Sequence, residues 1–350
     1  LLVPALVCLV LINHAANGKA GNLVQKEDYQ EITDSAWQDA VRDALDGETG
    51  LCRTEQSGVA KKRKDNVNRI WNMRQWTTSV YSSAYDTEYQ NFRNNVFQVE
   101  QPFRNGLMQS ASANPLFQKF MGVKYVIGRS EDGENFTTEV QETAAPVIYG
   151  TNRVIAEKTY QAMKFPYNQT MLMQYAVTGN EKITDAGVEK TKGIQETNVT
   201  FTAKRGVTKE DDSWKIKTKK EQKATLSLDE DTSGKERILY LQFDVENGHP
   251  NRDVSIVING IRNKLTAKSH LYYNDNTTFT YVMKLSADQE KIKVTFGAGT
   301  YRICNLKSYV SDTTVLEDAS LYRSTFTPDR NATKGNQISG NIAMKQDGYL

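Results

Sequence analysis

Ile238-Leu-Tyr-Leu-Gln-Phe-Asp-Val245 and, a little further on, Val254-Ser-Ile-Val-Ile-Asn-Gly260 are the stretches that decide the fold. In the first, apolar residues such as Leu239 and Leu241 alternate with Tyr240, Gln242 and Asp244, and a period of two is typical of a β-strand. In the second, Asn-Gly follows an apolar run and is the strongest short signal for a β-hairpin. These stretches predict antiparallel β-structure.

The same alternation extends along the C-terminal half of the chain. It recurs in Phe279–Leu285, Ile292–Phe296 and Tyr301–Ile303, and no convincing helical pattern occurs after about Thr191. Regularly spaced strands separated by turn signals predict an antiparallel β-sandwich, jelly-roll-like, over residues 191–325. We expect Trp214–Lys219 to be an edge strand, since its exposed lysines would discourage edge-to-edge pairing.

The N-terminal half has helical spacing instead. Ser35–Leu45 has one apolar face, and Tyr85, Tyr89, Phe92 and Val96 repeat at intervals of three and four with Asp86 placed to cap. Both stretches are therefore predicted to be helices.

A third helix is signalled by Asn114 as its cap, Pro115 in its first turn and Gly122 at its end. A strand over Val123–Ile127 and two short helices near residues 156–163 and 168–176 follow. Residues 25–190 are thus predicted to be a mixed α/β region, and the fold class is α+β.

The chain begins with an uncharged apolar run, Leu1–Ile12. A spanning helix needs roughly 20 apolar residues, so we interpret 1–12 as the end of a transmembrane helix and 13–24 as a linker. Asn13–Asn22 carries a single Lys, which favours an outward-facing flank. The alternative is a buried core helix. Residues 326–350 are expected to return toward the α+β region or the membrane.

Composition limits the classes of function. The chain has 350 residues, 44 Lys and Arg against 42 Asp and Glu, and a net charge of +2, which argues against a nucleic-acid partner. Three histidines, His14, His249 and His270, have no metal-ligand or triad spacing, so no metal and no cofactor are predicted. Cys52 and Cys304 could form a disulfide, although two free thiols are the alternative we favour.

An ordered series of motifs resembles the YfhO family of bacterial membrane proteins. The series contains a helix-and-strand motif, an aromatic and serine-rich stretch before it, a block after it, and a β-hairpin portion downstream. These are Asn114-Pro-Leu-Phe-Gln-Lys-Phe-Met-Gly-Val-Lys-Tyr-Val-Ile127, Trp76–Ser83, Pro146–Tyr160 with Phe165-Pro-Tyr167, and Ile238–Asn263. Together they cover most of residues 50–310.

The resemblance implies the extracytoplasmic domain of a polytopic glycosyltransferase of the GT-C class in the bacterial plasma membrane. Such an enzyme transfers sugar from a polyprenyl-phosphate donor to a cell-envelope polymer such as lipoteichoic acid. The resemblance places the catalytic carboxylate in a membrane loop outside this chain. No catalytic residue is therefore assigned here, and the partners implied are the protein's own membrane helices, the lipid-linked sugar and the polymer acceptor.

Candidate substrate-binding residues form a basic and an aromatic group. The basic loop would suit phosphate groups, and the aromatic rings could pack against the C–H faces of sugars. An ordinary solvated loop and core packing are the respective alternatives. The two groups are Lys61, Lys62, Arg63 and Lys64, and Trp71, Trp76, Tyr81 and Tyr85.

Two other functions are also compatible with the sequence. A non-enzymatic carbohydrate-binding or adhesive surface module would also combine a jelly-roll-like half with aromatic residues. A secreted hydrolase has less support, because the acidic pairs Asp211-Asp212 and Glu230-Asp231 lie in charged turns without apolar neighbours that would raise a carboxyl pKa.

Overall fold

The computed structural model describes residues 2–18, 26, 36–48, 50–56, 76–79, 84–103, 108, 111–130, 135–141, 144–179, 193–229, 234–334, 337–344 and 348. In chain order the elements are α1 (Leu2–Gly18), α2 (Ala36–Ala44), β1 (Arg53–Gln56), α3 (Thr87–Asn91) continued by a π-helical segment (Phe92–Val96), α4 (Pro115–Phe120), β2 (Val123–Arg129), β3 (Phe136–Val140), β4 (Tyr149–Gly150), β5 (Val154–Ala156), α5 (Glu157–Gln161), α6 (Tyr167–Gln174), β6 (Ala176–Thr178), β7 (Gln195–Glu196), β8 (Val199–Ala203), β9 (Val207–Glu210), β10 (Ser213–Thr218), β11 (Gln222–Leu228), β12 (Arg237–Asn247), β13 (Val254–Ile258), β14 (Ile261–Leu265), β15 (Thr278–Leu285), β16 (Lys291–Phe296), β17 (Gly299–Asp312), a 3₁₀ turn (Thr313–Leu316), α7 (Asp318–Leu321), β18 (Ser324–Lys334) and β19 (Gln337–Ile342).

The C-terminal half contains two antiparallel sheets. One has the strand order β15-β12-β17-β10-β9, with β7 pairing with β17, and the other has the order β14-β13-β16-β11-β8. Leu239, Leu241 and Phe243 of β12 belong to one apolar core cluster with Ile256 and Phe296 of the second sheet. The predicted α+β class and the antiparallel sandwich are therefore confirmed.

The Asn259-Gly260 hairpin is confirmed. Ile258 pairs with Ile261, and both turn residues have positive φ, 50° and 83°. A type I′ turn requires this backbone conformation at both central positions, and Asn and Gly adopt it at the least cost.

The other face of β12 is buried as well. Ile238 and Tyr240 pack with Phe97 and Phe117 in a second core cluster, beneath the helical region. Tyr240 is fully buried, and its hydroxyl lies 3.0 Å from that of Ser311. The alternation therefore separates two cores rather than a core from solvent.

The predicted edge strand at Trp214–Lys219 is wrong. The corresponding strand, β10, lies between β17 and β9, so β9 forms the sheet edge. Trp214 and Ile216 are buried whereas Lys215 and Lys217 are exposed. The lysines lie on the solvent face of an internal strand. Lysines on such a face recur at every second residue, as they would on an edge strand, so the spacing alone does not distinguish the two.

Short helices also occur within the half that was predicted to have none. The 3₁₀ turn and α7 follow β17 directly, and Val315 and Ala319 are buried in the second core cluster. They pack on the face of β12 that carries Ile238 and Tyr240. Each helix is only four residues long, too short to show a helical period in the sequence.

The α+β region follows the predicted element order. Asn114 caps α4 by accepting hydrogen bonds from the amides of Leu116 (2.9 Å) and Phe117 (3.2 Å), with Pro115 at the start of the helix. β1 pairs in parallel with β2, and β3 pairs antiparallel on the other side of β2. β18 comes back to this region and pairs with β4.

The apolar start of the chain is helical. α1 spans 17 residues and therefore includes the first part of the predicted linker, and its side chains from Val3 to Ile12 are exposed. Within the part of the chain that the structure describes, none of the helices combines the length and the apolar character needed to cross a bilayer.

Candidate functional site

A polar cleft lies where the α+β region meets a loop of the β-sandwich. Its volume is about 510 Å³, within the usual range of small-molecule and sugar sites. Amide, hydroxyl and phenol side chains dominate its described lining. That lining comprises Tyr85, Gln90, Asn94, Asn95, Gln98, Val99, Gln101, Tyr273, Asn274, Asp275, Asn276, Thr277 and Thr278.

The first wall begins with α3 and its π-helical continuation. Asp86 caps α3 by accepting a hydrogen bond from the Tyr89 amide at 2.7 Å. The Phe97 amide then bonds back to the Phe92 carbonyl at 3.1 Å, a five-residue step that widens the helix. Asn94 and Asn95 lie on this segment and line the cleft. π-Helical turns of this kind occur frequently at functional sites.

Gln98, just after that segment, has a strained backbone. Its φ is 47°, in the left-handed region that a residue with a long side chain rarely adopts. The flanking residues hold it in place. The Gln169 side chain donates to the Phe97 carbonyl at 2.8 Å, and the Gln101 amide donates to Asn263 at 2.9 Å. Strain that neighbouring contacts enforce is typical of binding sites.

The floor of the cleft connects both halves of the molecule. The side-chain oxygen Oε1 of Gln98 accepts hydrogen bonds from the side-chain Nε2 of Gln242 on β12 and from the Thr280 hydroxyl of β15, the latter at 3.3 Å. Gln242 also donates to Thr280 at 3.1 Å. The outward face of the sheet therefore fixes the orientation of Gln98.

The second wall is a loop organised by Asn274. Its side-chain oxygen accepts from the Thr266 amide and hydroxyl, each at 3.1 Å, and its nitrogen donates to the Lys264 carbonyl at 2.7 Å and the Phe103 carbonyl at 3.1 Å. These hydrogen bonds use both the oxygen and the nitrogen of one side-chain amide, and they tie the loop to Thr266, Lys264 and Phe103.

Asp275 and Tyr273 present polar groups from that wall. Asp275 has a φ of 47°, and its carboxylate accepts a hydrogen bond from the Tyr273 hydroxyl at 2.8 Å. Desolvation and this carboxylate raise the pKa of Tyr273, so the phenol stays protonated and can donate.

A buried ionic network supports the first wall from behind. Glu55 of β1 is 1% exposed and accepts hydrogen bonds from the amide and hydroxyl of Thr78 and the hydroxyl of Ser79. Arg93, within the π-helical segment, donates to the Thr78 carbonyl at 2.8 Å. Burial raises the pKa of Glu55, whereas these hydrogen bonds and Arg93 oppose the rise. The network fixes the π-helical segment to the β1-β2-β3 sheet.

The predicted binding residues fall in different places. Tyr85 lines the cleft and is 41% exposed. Trp76 is 43% exposed and lies beside β1, where its carbonyl accepts from the Thr54 amide at 2.9 Å. The others lie outside the described residues, and their roles stay predictions. They are Lys61, Lys62, Arg63, Lys64, Trp71 and Tyr81.

Sequence reasoning missed the rest of the cleft. Asn94, Asn95 and Gln98 are separated from Tyr273 and Asn276 by about half of the chain, and amide-rich segments look like ordinary surface loops. The one usable signal was the dense run of Asn, Asp and Thr after Tyr273, which is unusually polar for a connection between two apolar strands.

No metal site emerges from the described residues, in which no group of three or more His, Cys, Asp or Glu side chains could hold an ion. His270 has a local role, accepting a hydrogen bond from the Tyr272 amide at 3.0 Å. Cys52 and Cys304 are free thiols, and burial raises the pKa of Cys52 to about 11, so it is a poor nucleophile at neutral pH.

Comparison with protein families assigns the chain to one of them. The family described as bacterial membrane protein YfhO matches residues 1–350, the whole chain. The chain belongs to the YfhO family. The resemblance that the sequence motifs indicated is thereby confirmed, and the YfhO family is a family of bacterial membrane proteins. Among curated proteins, none matches it.

Solved structures with some similarity to the YfhO-family chain include carbohydrate-binding modules. The C-terminal CBM6 of LamC, a marine laminarinase from Zobellia galactanivorans, is 11% identical and covers 33% of this chain and 100% of its own, with a TM-score of 0.21. A CBM29-2 variant in complex with mannohexaose is 13% identical and covers 33% and 91%, with a TM-score of 0.19. A ruminal GH26 endo-β-1,4-mannanase is 19% identical and covers 28% and 19%, with a TM-score of 0.18.

Proposed function

We propose that this chain is the acceptor-binding, extracytoplasmic part of a YfhO-family membrane glycosyltransferase. In this proposal the polar cleft holds a carbohydrate portion of a cell-envelope polymer such as lipoteichoic acid, while a polyprenyl-phosphate-linked sugar is the donor. The observation that carries the proposal is the cleft itself, with its preformed amide walls, its π-helical segment and its strained Gln98.

The chemistry of the cleft suits a sugar. Asn and Gln side chains both donate and accept hydrogen bonds, as sugar hydroxyls do, so the two sets can satisfy each other. Tyr85 and Tyr273 add ring surface for the C–H faces of a pyranose. The saturated contacts of Asn274 keep its wall in place, which lowers the entropy cost of binding.

The membrane setting has its own support. The exposed apolar side chains of α1 would be costly to leave in water, and a bilayer would remove that cost. In line with the family resemblance, we place the catalytic carboxylate of sugar transfer in a membrane loop outside residues 1–350, and we assign no catalytic role to Asp275, the one carboxylate in the described lining of the cleft.

The test uses the whole membrane protein in its own cell. Deleting the gene should remove a glycosyl substituent from an envelope polymer, and the wild-type gene should restore it. Tyr85→Ala with Asn95→Ala should restore less than about a tenth, because both side chains line the cleft. Tyr272→Ala is the matched control, since Tyr272 is 52% exposed yet is not part of the described lining of the cleft. The readout is the sugar composition of purified polymer.

The rival function is a non-enzymatic carbohydrate-binding or adhesive module, which the same cleft could serve. Unchanged polymer composition after deletion, together with glycan binding by the chain, would favour the module. Sugar transfer by the isolated chain, with lipid-linked donor supplied, would show that the catalytic group lies within residues 1–350 and would contradict the division of labour proposed here.

A further inference from the structure

We infer, on the basis of the proposed function, that the cleft accepts an uncharged, hydroxyl-rich glycan segment and excludes phosphate groups. The first reason is its composition. Among the described lining residues no Lys, Arg or His occurs, and the one charged side chain is the carboxylate of Asp275, which is exposed. A site that binds phosphate normally offers Arg, Lys or a set of converging backbone amides.

Two described cations on the elements that form the walls are directed elsewhere. Arg93 lies within the π-helical segment, but it is 3% exposed, donates to the Thr78 carbonyl and stacks over the Phe117 ring at 5.1 Å. Lys264 belongs to the strand before the second wall, and its ammonium is 2.6 Å from Asp253. Neither side chain contributes to the lining.

The carboxylates, in contrast, are close to the cleft. Asp244 lies directly behind the wall, where it accepts a hydrogen bond from the Thr278 hydroxyl at 2.6 Å. Asp86, the N-cap of α3, and Glu88, in its first turn, directly follow Tyr85 in the chain. A phosphate in the cleft would therefore meet the like charge of Asp275, with Asp244 behind it, and the described lining offers no cation to pair with it.

This selectivity defines which part of an acceptor can bind. A polymer of alternating glycosyl and phosphate groups would place its sugar hydroxyls in the cleft and its phosphates in solvent. Uncharged glycolipid head groups and neutral envelope polysaccharides would fit without that restriction.

The experiment is a binding assay of the full chain in detergent against a glycan array. The array carries matched pairs in which each neutral hexasaccharide is present with and without a glycerol-phosphate substituent. We expect at least one neutral member to bind, and its phosphorylated partner to bind roughly tenfold more weakly at low salt, with the difference shrinking as salt is added. The Asn95→Ala variant should lose the neutral member.

A charge placed in the wall sharpens the test. Thr277→Lys puts a cation at an exposed lining position and should reduce the discrimination against the phosphorylated member at least fivefold. Thr208→Lys is the matched control, since Thr208 is an exposed threonine on β9, away from the cleft. It adds the same net charge and should leave the discrimination unchanged.

The outcomes separate this inference from the proposed function. Equal or tighter binding of the phosphorylated members, lost in Asn95→Ala, would overturn the inference and leave a carbohydrate site in place. Binding of no member at all would overturn both. Neutral binding that Asn95→Ala does not affect would show that the glycan sits elsewhere and would also overturn both.

Discussion

The two halves of this chain are stabilised in different ways. The core cluster of the sandwich is built from aliphatic and aromatic side chains, among them Phe243 and Phe279 with ring centroids 6.0 Å apart. The α+β region buries more ionisable groups, with Glu55 1%, Arg93 3% and Lys119 3% exposed, whereas the described strands of the sandwich bury Arg237 (5%). Apolar side chains can pack without hydrogen-bond partners, whereas a buried charged group needs hydrogen bonds or an ion pair that fix its orientation. The half with buried polar networks is also the half that positions the strained wall of the cleft.

The largest expected effect lies in the sandwich. Phe243→Ala should lower the free energy of unfolding by about 3–5 kcal/mol, because a fully buried ring in contact with Phe201 and Tyr281 leaves a cavity between the sheets. Urea unfolding followed by tryptophan fluorescence measures it. Lys217→Ala, on the exposed face of β10, should change stability by less than about 0.5 kcal/mol. An equally small loss for Phe243→Ala would mean that the sandwich is not held by this core.

The next effect tests the buried charges of the α+β region. Burial, with a further contribution from Arg323, lowers the pKa of Lys119 from 10.5 to about 8. Between these two values the unfolded chain binds more protons than the folded one, so stability rises with pH. We expect a gain of about 2 kcal/mol between roughly pH 7.5 and pH 9.5, measured by urea unfolding across that range.

Lys119→Met should abolish that slope and raise stability at pH 7, since no charge then has to be buried. Lys124→Met is the matched control, because Glu48 raises the pKa of Lys124 and keeps it protonated throughout the range. A slope that survives in Lys119→Met would show that another group produces it.

The smallest effect concerns the contact that connects α4 to the wall of the cleft. Asn114→Ala removes the cap of α4 and the 3.0 Å hydrogen bond that the Asn114 side-chain nitrogen donates to the Gln169 side-chain oxygen. The Gln169 side chain in turn donates to the Phe97 carbonyl, next to the wall of the cleft. We expect a loss of about 1–2 kcal/mol in urea unfolding. Asp86→Ala removes the cap of α3, an exposed helix, without removing a hydrogen bond to a second element, and should cost less. Equal losses would argue that Asn114 acts as a cap alone.

Local structure was predictable wherever backbone chemistry acts over a few residues. The Asn259-Gly260 turn, the Asn114 cap with Pro115 and the Asp86 cap all formed as predicted. Strand pairing was not predictable in this way, because the strand at Trp214, predicted to be an edge, lies inside the sheet. Pairing partners are far apart in sequence, and lysines on a solvent face have the same spacing as lysines on an edge.

The sequence by itself determined the order of the elements, the antiparallel character of the C-terminal half and the family, because these depend on periodicity, turn residues and motif order. Only the tertiary structure decided where the cleft lies, that Tyr240 and Gln242 are covered rather than exposed, and that Gln98 is held at positive φ. The physical reason is that amide and tyrosine side chains carry no signal of their own partners. Their role depends on which distant segment packs against them.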